Sequence, residues 1–290
     1  MSAAQAFPVF VINLERASAR REHMARLVAE LGLDAEFVAA VDGAALTAAD
    51  RAPHDRARAR VVYGAELTDP EMGCYLSHYR LWERMVREDM NCALILEDDV
   101  NASPNLSEIV RQLIDLPWGA WSVVRLQSSK HSIVTPTNAA SFGRKVADVA
   151  GGGLYRLESN VLGSGGYLIR KSAAEKMVAY GARMFMPLDH TLDRFWENGV
   201  VPFVVRPFPI WQIADVPTMI GERGRSSETR EPLIAYGRRR LARVADSVRK
   251  RVFRLSLRSP ALGHVFALAH VRSAELAMEY LRGVQAPRNA

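Results

Sequence analysis

Ala93-Leu94-Ile95-Leu96-Glu97-Asp98-Asp99-Val100 is the stretch from which the fold is read. A short apolar run, bounded by polar residues, ends in three adjacent carboxylates. The run has the pattern of a strand buried on both faces. The acids fall where that strand would emerge. Side by side they repel one another and resist desolvation, so something must compensate them. A divalent cation that carries a phosphate ligand is the compensation best suited to an α/β protein. Side chains on an extended segment alternate in direction, which puts Glu97 and Asp99 on one side and Asp98 on the other. Glu97 and Asp99 are therefore the candidate metal ligands. The cation would bridge the two phosphates of a nucleotide-sugar and stabilise the departing diphosphate. Two rival readings stay open: a solvated acidic turn, and a metal-dependent phosphoesterase site, which usually draws on more clustered acids and histidines than this sequence offers.

Outward from that stretch, strands and helices alternate. Pro8-Val9-Phe10-Val11-Ile12-Asn13-Leu14 is rich in β-branched residues and apolar on both faces, a first central strand. A helix follows, with Ser18 as N-cap, Met24, Leu27, Val28 and Leu31 on one face, and Gly32 as its stop. Glu36 to Val41 is a second strand, closed by the turn Asp42-Gly43. Ala48 to Arg60 is Ala/Arg-rich and weakly periodic, an excursion or a loosely packed helix. Thr68-Asp69-Pro70-Glu71 opens a helix in one of two competing registers: a Thr68/Glu71 capping box, or Asp69 as N-cap before Pro70. Met72, Leu76, Tyr79, Trp82 and Met85 then repeat at helical spacing, with His78 at the flank of the buried stripe.

Beyond the acids, Ser107 to Leu116 reads as a helix and Trp121 to Leu126 as a strand. Residues 128–160 lack clear periodicity and contain Gly151-Gly152-Gly153, the mark of a lid over a site. Tyr167-Leu168-Ile169 is a strand, Ser172 to Glu175 a second capping box, Asp189 to Trp196 a helix, and Val200 to Val205 a strand. The alternation argues an α/β sheet with mostly parallel strands. Ligands of such sheets bind beyond the carboxyl ends of the strands, where Glu97, Asp98 and Asp99 fall.

Half of the 290 residues are apolar, and no stretch approaches the roughly 20 apolar residues of a membrane span. The run Phe7 to Leu14 contains a proline and ends in charge, so it reads as a strand and not as a signal peptide. Cys74 and Cys92 make no disulfide framework and read as buried free thiols, which points to a reducing cytoplasm. The net charge of +6 is uneven. Of the 38 Lys and Arg, 15 follow residue 220, where only 6 Asp and Glu stand; the first 220 residues hold 23 against 26. The sequence thus divides into an α/β unit over residues 7–220 and a basic C-terminal region over 221–290, suited to an anionic surface.

Several segments, in order, resemble glycosyltransferase family 25. They are Phe10-Val11-Ile12-Asn13-Leu14-Glu15-Arg16 with Arg20-Arg21, Ala40-Val41-Asp42-Gly43, and Gly73-Cys74-Tyr75-Leu76-Ser77-His78. Leu94 to Val100, Gly166-Tyr167-Leu168-Ile169 and Pro187-Leu188-Asp189-His190 complete the set. The family includes lipooligosaccharide galactosyltransferases of bacteria and collagen galactosyltransferases of animals. The resemblance implies a GT-A-type nucleotide-sugar-binding fold, a UDP-sugar donor, usually UDP-galactose, inversion at the anomeric carbon, and Mn²⁺ or Mg²⁺. The Ala48–Arg60 stretch departs from the family pattern, and nothing in the sequence identifies the glycan or glycolipid acceptor. A relative that keeps the fold without turnover, as a membrane-surface binding module, is the competing class.

The resemblance also assigns candidate residues for the donor: Asn13, Arg16, Asp42, Ser77, His78 and Asp98. Asn13 would either read the uracil edge or ribose, or cap the next turn. Arg16, Arg20 or Arg21 would reach the diphosphate, or simply be solvated at a helix start. Asp42 has a turn as its simplest role. Ser77 and His78 would line the donor site, or His78 would be a structural histidine. Asp189 is the candidate base for the acceptor hydroxyl, since it matches the Pro-x-Asp piece; the plainer alternative is a carboxylate favoured by a helix N-terminus.

Residues 238–258 read as one amphipathic helix. Leu241, Val244, Ala245, Val248, Val252 and Leu255 form a stripe, and Arg239, Arg240, Arg243, Lys250, Arg251 and Arg254 lie mostly opposite. Such a helix would lie on an anionic leaflet and hold the protein peripherally at the inner face of a bacterial plasma membrane; the alternative is a helix packed on the body. Nucleic-acid binding is not expected from an acidic body without a nucleic-acid motif.

Overall fold

β1 (Val9–Asn13), β2 (Ala35–Ala39) and β3 (Cys92–Glu97) lie side by side and parallel, with Val11 facing Phe37 on one side and Leu96 on the other. The computed structural model describes residues 7–117, 119–128, 143–157, 159–213 and 233–258. The other members of the main sheet are β5 (Val123–Arg125), β6 (Arg144–Val149), β7 (Gly152–Arg156), β8 (Gly166–Arg170) and β9 (Pro202–Arg206). The order is β2-β1-β3-β8-β5-β9-β7-β6. Six of the eight strands run the same way; β8 and β7 are reversed. The architecture is thus mixed α/β with a mostly parallel central sheet, as the alternation of elements predicts.

Period-two alternation sorts the core into two layers. Val9, Val11, Leu94 and Leu96 point to one face, covered by α1 (Ser18–Glu30) and α5 (Leu106–Asp115). Phe10, Ile12, Ala93 and Ile95 point to the other, covered by α4 (Asp69–Arg87) and α6 (Lys171–Gly181). Every residue of β1 and of β8 is buried, which is why both read as continuous apolar runs. A second, two-stranded sheet pairs β4 (Val100–Ala102) antiparallel with β10 (Ile210–Gln212), so the acidic tip is crossed by chain from far downstream.

Several local expectations change. At α4 the Thr68/Glu71 capping box forms, which settles the competing registers against an Asp69 cap. Ser18 and Ser172 cap nothing: Ala17 and Arg170 occupy those cap positions without a side-chain bond. β8 runs directly into α6, so the chain has no free residue to spend on a cap. The Ala48–Arg60 stretch holds the short helices α2 (Ala48–Arg51) and α3 (Arg56–Arg58), followed by a wide turn over Ala59–Tyr63. The helix expected over Asp189–Trp196 is two pieces, α7 (Leu188–Leu192) and α8 (Phe195–Asn198), broken where Asp193 turns inward.

Of the expected lid, residues 129–142 and 158 lie outside the described residues. The remainder includes a β6–β7 hairpin whose mostly exposed edge strand carries no apolar alternation to announce it. The expected boundary at residue 220 and everything after residue 258 also lie outside the described residues. The final described element, α9 (Leu233–Arg258), packs against the body near Ala59–Tyr63 and α8.

Candidate functional site

A cavity of about 370 Å³ opens beyond the carboxyl ends of β1, β2 and β3. One wall is apolar: Ile12 and Leu14 leaving β1, then Ala40 and Val41 after β2. The lining is also charged, with Arg16 before α1, Arg20 in its first turn, and Glu97, Asp98 and Asp99 at and just beyond the end of β3. The first turns of α4 close the cavity with Cys74, Ser77 and His78. A cleft lined by both apolar and charged side chains suits a ligand that is part flat ring, part phosphate.

Glycine lets these walls approach. A Cβ on Gly73 would stand 2.6 Å from the Val41 carbonyl oxygen. Ser77 completes the seam: its Oγ accepts the Val41 N–H at 2.8 Å and donates to the Gly73 carbonyl at 2.7 Å. Ser77 thus holds the turn after β2 against α4. Asp42 accepts the Ala44 N–H at 2.9 Å and pairs with Arg16, so it shapes the turn while lining the cavity.

The three acids have different surroundings. Asp98 is nearly buried, and its carboxylate accepts Asn13 Nδ2–H at 2.7 Å and Arg20 Nη1–H at 3.0 Å. Glu97 Oε1 accepts the Ser164 hydroxyl at 2.5 Å and lies 3.4 Å from His78 Nε2. Burial pushes the Glu97 carboxyl up, but the His78 imidazole and the Ser164 hydroxyl outweigh burial and hold it below its ordinary value. Asp99 Oδ2 accepts Gln212 Nε2–H at 2.9 Å, while Oδ1 is buried with no hydrogen-bond partner. Burial first, and then the Glu97 charge, push the Asp99 carboxyl up to about 6. Two acids that raise each other's cost, one with an orphaned buried oxygen, fit a hard divalent cation held by Glu97 and Asp99.

His78 is fully buried and not at a flank, because α4 packs it under the sheet. Its Nδ1 lies 2.8 Å from the Tyr167 hydroxyl, which also accepts Trp82 Nε1–H at 3.0 Å. Indole only donates, so Trp82 takes one tyrosine lone pair. The tyrosine proton then has His78 Nδ1 as its acceptor, and the imidazole carries its own proton on Nε2, toward Glu97. Trp82, Tyr167 and His78 form a hydrogen-bonded chain whose far atom, His78 Nε2, stands 3.4 Å from Glu97 without a hydrogen bond to it. Cys74 joins this cluster: its sulfur, an imidazole nitrogen and a Glu97 oxygen all lie within 4.8 Å of one another. Burial, followed by the Glu97 charge, pushes the thiol well above its ordinary value.

Two predicted residues do not line the cavity. Asn13 is buried behind the wall, where its Nδ2–H groups bond Asp98 and the Ala17 carbonyl while its Oδ1 has no hydrogen-bond partner. Asp189 is half-buried and holds backbone: Oδ2 accepts the Gly163 N–H at 3.2 Å and Oδ1 accepts the His190 N–H at 2.8 Å. Its helical neighbour Asp193 accepts the Val161 and Leu162 N–H groups at 2.7 Å each and pairs with buried Arg125. Together the two aspartates fix the 161–163 turn next to Ser164. Arg20, one of the three arginines considered for the diphosphate, lines the cavity, whereas Cys74, Ser164 and Gln212 belong to the site and were not singled out as site residues by the sequence. Arg20 follows Arg16 by one helical turn, a readable signal; Gln212 arrives through the β4–β10 pairing and carries none.

Residues 6–192 match the family described as "Glycosyltransferase family 25 (LPS biosynthesis protein)". A "Glycosyltransferase 25 family member" of Aedes aegypti is 33% identical over 208 residues, which are 66% of this chain and 31% of that protein. "Procollagen galactosyltransferase 1" of Danio rerio is 25% identical over 241 residues, 79% of this chain and 36% of that protein. The human "Inactive glycosyltransferase 25 family member 3" is 28% identical over 223 residues, 69% of this chain and 35% of that protein. The matched part of the chain therefore spans about a third of the length of these relatives. Among solved structures, a "glycosyltransferase involved in the glycosylation of the major capsid of PBCV-1" superposes with a TM-score of 0.39 at 10% identity, covering 73% of this chain and 96% of that one.

Proposed function

The chain belongs to glycosyltransferase family 25, and on that premise we propose that it is an active, metal-dependent, inverting transferase that moves a sugar from a UDP-sugar, UDP-galactose foremost, to a lipopolysaccharide-type glycan. The observation that carries this reading is the buried Asp99 Oδ1, without a partner, on a residue that lines one cavity with Glu97, two arginines and a set of apolar side chains. The uracil ring suits the Ile12, Leu14, Val41 wall, and the diphosphate suits the end with Arg16 and Arg20. Glu97 and Asp99 would hold Mn²⁺ or Mg²⁺, which supplies positive charge for the departing diphosphate. The Tyr167–His78 chain keeps Glu97 ionised and oriented. In a single displacement the acceptor oxygen bonds to the anomeric carbon, the bond to the diphosphate breaks, and the hydroxyl proton passes to a carboxylate. Asp189 is the proposed acceptor of that proton, since each of its oxygens keeps a lone pair beyond its backbone bond.

The test is UDP release from a panel of UDP-sugars, with and without Mn²⁺ and with and without lipid-oligosaccharide acceptors. Asp99→Asn should reduce turnover by at least a hundredfold while the thermal melt stays near that of the wild type. Unchanged UDP release would remove the metal assignment. Asp189→Asn should lower transfer while donor affinity holds; equal transfer would remove it as base. A relative named inactive supports the non-catalytic alternative, which predicts no acceptor-stimulated release with any donor.

A further inference from the structure

α9 is mounted with its polar side inward. Asp246 accepts two bonds of 2.7 Å from nearly buried Arg194, and Lys250 donates to Asn160 and stands 4.9 Å from the Trp196 ring. Phe253 packs on Phe195, ring centroids 5.6 Å apart, and is buried. At 100° per residue these three positions share one side of the helix. Roughly opposite stand Leu241, Val244, Val248, Val252 and Leu255, with 71%, 56%, 55%, 41% and 57% of their surface exposed. A surface helix ordinarily turns such a stripe toward the core. Among the described residues no body element covers it. Exposed Arg240 and Arg251 border the stripe on one side and Arg249 on the other.

We propose that this outward face of α9 is a docking surface for an anionic lipid bilayer. A row of aliphatic side chains edged by guanidinium groups matches the boundary between acyl chains and acidic head groups. The lone acid within 241–255, Asp246, is turned to the body and neutralised by Arg194, so the outer face presents only cations and alkyl groups. The position is functional as well: α9 packs on Ala59–Tyr63, and the Tyr63 ring meets His190 at 5.1 Å, next to Asp189. Docking here would bring the membrane to the flank of the site that carries Asp189. The surface lies on α9, and vesicle binding to it needs neither donor nor acceptor.

The full chain should co-sediment with phosphatidylcholine vesicles that contain phosphatidylglycerol and far less with phosphatidylcholine alone. Binding should weaken as salt rises. Val244→Glu with Val248→Glu should abolish it, and each of Arg240→Ser and Arg251→Ser should weaken it about fivefold. A wild-type thermal melt in each variant keeps loss of binding distinct from loss of fold. The proposal is overturned if the full chain ignores anionic vesicles or if the variants bind unchanged. It is also overturned if the stripe serves another occupant: a dimer dispersed by Val244→Glu with Val248→Glu, or vesicle binding that appears only when the chain is ended at residue 258.

Discussion

Tyr167 holds one proton and must satisfy two neighbours inside a dry core. Its hydroxyl accepts from Trp82 and faces His78 Nδ1. Changing Tyr167→Phe leaves an indole N–H and an imidazole nitrogen without partners. The expected cost is about 1–3 kcal/mol, read as a lower urea midpoint with an unchanged slope; an unaltered midpoint would show that the chain carries no energy. The same scale shows how much of the site was readable. Strand alternation predicts that Glu97, Asp98 and Asp99 divide two against one, but the strand ends at Glu97 and Asp98-Asp99 form a turn, so alternation does not set their directions. Nor does it show that Asp98 takes Asn13 and Arg20 as partners, because those residues lie 85 and 78 positions away. Asn13 reads as a nucleotide contact or a turn cap from its place at a strand end; its bond to Asp98 is visible only in the structure.

Caps separate local grammar from context at the scale of elements. Thr68 and Glu71 bond each other's backbone, so Thr68→Ala should lower stability by about 1 kcal/mol. Ser172 stands in an equally good written motif but forms no cap, so Ser172→Ala should leave the melting temperature within error. Paired melts of the two variants check this; equal losses would mean that α6 is capped in solution. The physical difference is what precedes each helix. α4 follows a loop that is free to place Thr68 in extended conformation, whereas α6 begins at the last residue of a buried strand. Long, strongly periodic elements such as α4 and β3 were legible for the same reason that they are stable. The β6–β7 hairpin was not, since an edge exposed to water needs no apolar alternation.

Across the whole molecule, Glu197 ties together parts that are distant in sequence. It bonds Arg194, Arg58 at 3.0 Å and the Tyr180 hydroxyl at 2.5 Å, and reaches Arg249 of α9 at 3.4 Å. Burial raises its pKa, but the arginines and Tyr180 outweigh burial and hold the carboxyl below its ordinary 4.5. A carboxyl depressed in the folded state contributes stability that is present above the unfolded value and is lost as pH falls through the folded one. The wild type should therefore lose stability on acidification below about 4.5, and Glu197→Gln should lack that portion of the loss. At pH 7 the variant leaves Asp246 as the one anion beside Arg194 among the described residues and should be weaker by about 3 kcal/mol. Urea titrations of both proteins at pH 7 and pH 4 check this; parallel losses would exclude Glu197 as the titrating group.

By itself the sequence determined the alternation of strands and helices, the acids at a strand end and the family, because periodicity, capping chemistry and motif order are properties of neighbours along the chain. Only the tertiary structure decided which wall each acid joins, that Asp189 holds a turn beside the site, and that α9 faces the body with its polar side. Those are matters of partnership between residues far apart in sequence. The energy of a buried charge or an exposed stripe is set by what packing brings beside it, which no local pattern encodes.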